Sequence, residues 1–220
     1  MITSFCKSVG SARCMALGLV SASLVAAGAA NATIISGTVT SGGGAAFVKL
    51  SVPLSGASPF NTVGADNFDS PNLFAFDESQ NTTLTANLIP NLGAALLSGT
   101  TLASHYVFFD PTSGHITGSV NFDADILAVL SSTGTLLASD YLANTGVNYL
   151  NPGLRGLEAG DVVTISGARQ ISVDFSANSP GDYVRVLTAF SPGAVPEPSV
   201  LALVGLALAG LALSGRGRKA

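Results

Sequence analysis

From His115 to Ile126 the chain alternates between two kinds of residue. Ile116, Gly118, Val120, Phe122, Ala124 and Ile126 fall on one side, and Thr117, Ser119, Asn121, Asp123 and Asp125 on the other. A period of two marks a strand with one buried and one wet face, and a helix cannot satisfy it. Gln170–Phe175 repeats the pattern, with Ile171, Val173 and Phe175 inward. Leu102–Phe109 (LASHYVFF) is apolar on both faces and reads as an inner strand, and Val162–Ile165 and Tyr183–Phe190 are further strands. Turn formers separate them: Asp110-Pro111-Thr112-Ser113-Gly114, Ser131-Ser132-Thr133-Gly134, Asn151-Pro152-Gly153 and Ser179-Pro180-Gly181-Asp182. Many short strands with regular turns predict an all-β domain over residues 33–194, a jelly-roll-like β-sandwich, with one short helix over Leu136–Leu142.

Charge divides the chain into three unlike parts. Before residue 33 the only charges are Lys7 and Arg13. Residues 33–194 carry four bases, Lys49, Arg155, Arg169 and Arg185, against twelve acids. After Ala194 come one acid, Glu197, and three bases, Arg216, Arg218 and Lys219. Residues 1–32 read as a secretory signal: a positive start, an apolar helix over Met15–Ala27, then Ala30-Asn31-Ala32, which fits the A-x-A pattern. Signal peptidase is then expected to cut between Ala32 and Thr33, with the bond after Ala29 as the competing position and an uncleaved anchor as the other reading. Arg13 directly before Cys14 does not fit a lipoprotein box. Cys6 and Cys14 both lie in this segment, so a processed chain has no thiol, disulfide or cysteine metal ligand. Four bases give no patch to neutralise phosphates, which excludes nucleic acid as a partner.

Residues 195–220 form the third part. Ser199–Ser214 is uncharged and rich in Leu, Ala, Val and Gly. As a helix it spans about 24 Å at ~1.5 Å per residue, short of a ~30 Å hydrocarbon core. The flanks settle its reading as a transmembrane helix over about residues 199–214. Pro196 and Pro198 break regular structure before it, and Arg216, Arg218 and Lys219 follow as stop-transfer charges that stay cytoplasmic and snorkel to make up length.

Val195-Pro196-Glu197-Pro198-Ser199, the short apolar run and the Arg-rich end together resemble the PEP-CTERM sorting signal of exopolysaccharide-producing Gram-negative bacteria. The resemblance implies that a membrane-embedded protease-transpeptidase, exosortase, recognises Pro196, Glu197 and Pro198 and removes the tail. Two prolines hold an extended segment at the membrane face, where a protease can reach the backbone. A plain single-pass anchor is the alternative. Phe68–Leu73 with Ser104–Pro111 resembles a passenger type that recurs in PEP-CTERM proteins, a likeness that implies no activity.

Within the passenger, His105 and His115 invite a catalytic reading. No Gly-x-Ser-x-Gly, His-Glu-x-x-His or phosphate-loop pattern accompanies them. His105 shares a strand face with Val107 and Phe109 and reads as packed; His115 reads as solvated. The chain is read as no enzyme, with no catalytic residue and no cofactor. A structural calcium is the small-ligand candidate, on Asp66 and Asp69, on Asp77 with Glu78, or on Asp123 and Asp125, which two-residue spacing puts on one strand face. Carbohydrate binding would need exposed rings; there is no Trp, and Tyr141 and Tyr149 near turns are the usable ones. The sequence therefore predicts an exported surface or matrix protein, structural or adhesive beside exopolysaccharide. A polysaccharide-binding module, assisted by calcium, is the alternative, and a hydrolase on the same scaffold a third reading.

Overall fold

The structure is a computed structural model and describes residues 31–64 and 66–190. The expected signal helix and the expected tail helix at 199–214 lie outside the described residues. Among the described residues no helix is long and apolar enough to cross a membrane.

In chain order the elements are β1 (Ile34–Ser41), β2 (Phe47–Lys49), β3 (Thr62–Val63), β4 (Leu73–Asp77), β5 (Thr82–Thr83), β6 (Leu92–Gly93), β7 (Thr101–Phe109), β8 (Ser113–Phe122) and β9 (Ile126–Leu130). A short helix α1 (Thr133–Ala138) follows, then β10 (Asn148–Tyr149), β11 (Val162–Gly167), β12 (Gln170–Asn178) and β13 (Asp182–Ala189). The all-β expectation holds. One four-stranded sheet runs β1-β8-β12-β11; a seven-stranded sheet runs β2-β4-β7-β13-β9-β6, with β5 also on β7. The sheets are thus unequal, and the larger contains a parallel pair, β2 with β4.

Period-two alternation builds the space between the sheets. Ile116, Val120 and Phe122 of β8 and Ile171, Val173 and Phe175 of β12 point inward. They meet Val107 and Phe109 of β7 and Val184 and Val186 of β13. The other face of the larger sheet is buried as well. There Phe74, Phe76, Tyr106, Phe108 and Tyr183 pack under Leu54 from a loop, Val63 of β3, Leu136 of α1 and Leu142 just after it. Hence β7 is apolar on both faces, as its sequence requires, and the passenger is a sandwich with a third layer of loops.

Two boundaries differ from expectation. The alternating run stops as a strand at Phe122; Asp123 leaves the ladder because its carboxylate accepts the Thr33 N–H at 2.7 Å while its own N–H donates to the Thr33 carbonyl at 3.0 Å. Asp123 and Asp125 therefore sit in the β8–β9 turn and not on one strand face. The helix expected over Leu136–Leu142 starts earlier, because Ser132 caps it in a reciprocal box with Thr135, and a single 3₁₀ turn at Asp140–Leu142 completes the stretch.

Candidate functional site

Three charged clusters sit on or beside the larger sheet, and each follows from where strand alternation sends neighbouring side chains. At the end of β4, Asp77 faces the inter-sheet space while Glu78 faces the third layer, as successive strand residues must. Asp77 Oδ1 lies 2.7 Å from His105 Nδ1, and His105 Nε2 lies 3.0 Å from Thr188 Oγ1. An ionised carboxylate only accepts, so Nδ1 donates to Asp77, while the bond between Nε2 and the threonine hydroxyl can run in either direction. This hydroxyl–imidazole–carboxylate chain has the connectivity of a nucleophilic triad. His105 and Thr188 are wholly buried. Asp77 is further engaged by Lys49 Nζ at 2.8 Å, by the Thr33 hydroxyl at 2.8 Å and by the Ile34 N–H at 3.0 Å. Burial pushes the Asp77 carboxyl up, but hydrogen bonds from His105 and Lys49 outweigh it and hold the group well below the usual carboxylate range.

On the opposite face Glu78 is a fully buried acceptor. Arg185 clasps it with Nε at 2.7 Å and Nη2 at 2.9 Å, and the Ser104 and Tyr149 hydroxyls each donate at 2.6 Å. Arg155 binds Asp140 bidentately at 3.0 and 2.6 Å. Burial disfavours the Arg185 charge, and Glu78 beside it more than restores it. Every lone pair of Glu78 that the fold hides thus meets a donor, the condition for tolerating a buried ion pair.

The third cluster lies where β7 ends and β13 begins. Asp110 is wholly buried, and its Oδ2 accepts the N–H of Asn67 at 2.9 Å and of Phe68 at 3.1 Å. Burial pushes its pKa up to about 6; the two amides oppose this and Asp66 adds to it. Asp182, at the start of β13, is almost fully buried. Burial, then the carboxylates of Asp161 and Glu158, push it up to about 8. An open cleft of about 280 Å³ beside this end is lined by Asn91, Ser131, Ser132, Asp161 and Val163 among others.

These contacts sort the sequence candidates. Asp77 and Glu78 are committed to protein bases, Asp123 to Thr33, and Asp125 to Arg169 at 2.7 Å. His115 is exposed on an ion-pair distance of 2.6 Å to Asp174. Tyr149 is drawn into the Glu78 cluster, which leaves Tyr141 as the exposed tyrosine of the two. Ala32 is buried against Ala103 and Ala124, and Thr33 is clasped as above, so the expected cleavage junction lies in packed structure. Asp66 and Asp69 remain, and the fold joins Asp110 to Asp66, a partner the sequence reading placed only in a turn. Among the described residues no group of three or more His, Cys, Asp or Glu side chains could hold a metal. Pro196, Glu197, Pro198, Arg216, Arg218 and Lys219 lie outside the described residues.

Comparison with known families matches residues 194–219 to the PEP-CTERM protein-sorting motif. No curated protein and no solved structure matches the chain. The motif implies export to the cell envelope or surface and processing by exosortase.

Proposed function

We propose that this chain is a non-enzymatic surface or matrix protein whose passenger serves a structural or adhesive role beside exopolysaccharide. The sorting motif at 194–219 carries the reading. It supplies an address and a processing step, and the passenger is the cargo. Signal peptidase acts at the other end, after Ala32 or after Ala29, once the chain has crossed the inner membrane. The apolar run at 199–214 holds the chain in that membrane, with Arg216, Arg218 and Lys219 on the cytoplasmic side, until the tail is removed.

Two features of the passenger favour cargo over catalyst. In the hydroxyl–imidazole–carboxylate chain the imidazole and the hydroxyl are wholly buried, where no substrate carbonyl could approach Thr188. Glu78 is clasped by Arg185, and Asp77 by Lys49 and His105, which favours a persistent, rigid body around the larger sheet. The jelly-roll-like description belongs to the same proposal. Two stacked sheets with polar outer strands suit a module displayed at high density.

The test replaces Pro196, Glu197 and Pro198 together by alanine in the exporting host. Retention of the uncut chain in the inner-membrane fraction is expected, with loss from the surface fraction. An unchanged surface distribution would overturn the reading.

A further inference from the structure

The loop between β3 and β4 carries Asp66 to the place where Asp110 leaves β7. The two oxygens of Asp110 have unlike surroundings. Oδ2 is satisfied by two backbone amides. Oδ1 is buried and has no hydrogen-bond partner. The Tyr183 hydroxyl adjoins the carboxylate and helps to hold its charge, but its proton points to the Pro180 carbonyl at 2.7 Å. Asp66 Oδ1 is likewise buried without a partner, and Asp66 Oδ2 meets the Ser179 hydroxyl. The turn between β12 and β13 lies directly over the pair: a Cβ on Gly181 would stand 3.0 Å from Asp110 Oδ1. Asp66, half-buried, and Asp110, wholly buried, are near enough to feel each other's charge, and each keeps one oxygen without a hydrogen-bond partner, which is costly for the buried group.

No protein base relieves it. The four basic side chains of the described residues are all committed elsewhere: Lys49 to Asp77, Arg155 to Asp140, Arg169 to Asp125 and Arg185 to Glu78. The missing positive charge must come from solvent. We propose that Asp66, Asp110 and the Ser179 hydroxyl bind a calcium ion that ties the β3–β4 loop to the β12–β13 turn. The donors are all oxygen, which selects a hard cation. They come from irregular loops, with Asp66 at φ 50 and Asp69 at φ 44, and calcium accepts irregular shells of about 6–8 oxygens where magnesium demands an octahedron. Two carboxylates, with water completing the shell, fit the affinity of extracellular modules, a Kd of about 10⁻⁴–10⁻³ M. Asp69, exposed at the rim, adds long-range attraction. The inference is independent of the sorting tail.

The site can be read optically. The chain has no Trp, and Tyr183 adjoins Asp110, so terbium, a calcium surrogate, should show tyrosine-sensitised emission. The experiment uses the chelator-stripped full chain. Calcium is expected to raise Tm by a few degrees at millimolar concentration and to quench terbium emission by displacement. Asp66→Asn and Asp110→Asn should each abolish both responses. Asp110→Asn keeps an acceptor for the two amides and turns an N–H₂ toward Asp66, so it should fold and melt no lower than the metal-free parent. Tyr183→Phe should remove most of the emission and keep the Tm shift. No calcium response, a response retained in both asparagine variants, or an equal response to magnesium would overturn the assignment.

Discussion

Asp182 and Asp77 illustrate how one residue type takes opposite roles in the same sheet. Asp182 has a folded pKa of about 8, against ~3.9 when unfolded. Between those values the folded chain keeps a proton that the unfolded chain releases, so this group makes stability fall as pH rises from about 4 to 8. Asp110 acts in the same direction up to about 6. Asp77 is depressed instead, so its contribution is present above ~4 and is lost as pH falls below. Asp182→Asn should therefore stabilise the protein by about 1–3 kcal/mol at pH 8 and leave it unchanged near pH 4, a difference that urea titration at the two pH values would measure. Equal effects at both would mean that Asp182 is ionised throughout. None of this is legible in the sequence. Adjacent Asp77 and Glu78 look like one acidic pair, yet strand alternation sends them to opposite faces, and the Arg185 that clasps Glu78 is 107 residues away.

At the scale of elements, legibility follows length. The ten residues of β8 and the nine of β12 display a period, and the nine of β7 form an apolar run long enough to mark an inner strand, so those strands can be read. The two-residue strands β3, β5, β6 and β10 are too short to show one and exist only through their partners. The pattern also names Gly118 as an inward position without explaining it. A Cβ there would lie 2.4 Å from the Thr38 carbonyl and 3.2 Å from Leu73 Cδ2, because β1 crosses close over it. Gly118→Ala should push β1 off β8 and cost about 1–3 kcal/mol, visible as a drop in Tm. Wild-type stability in that variant would mean that the strands separate freely at this point.

At the scale of the whole molecule, address and cargo were unequally readable. The tail announces itself by order alone: a Pro-Glu-Pro break, an apolar run and a basic end, each placed by membrane physics. Its match to the sorting motif at 194–219 gives the chain a destination at the envelope or surface. The cargo's chemistry depends on contacts between distant strands, and no spacing along the chain foretells that Asp66 meets Asp110 or that the His105 relay is sealed. The most direct test of the account is the C-terminal mass of the protein isolated from its host's surface fraction. A chain ending at or just before Val195-Pro196-Glu197-Pro198, with or without an added group, is the predicted result. A surface chain still ending at Ala220 would contradict it and make the tail an ordinary membrane anchor.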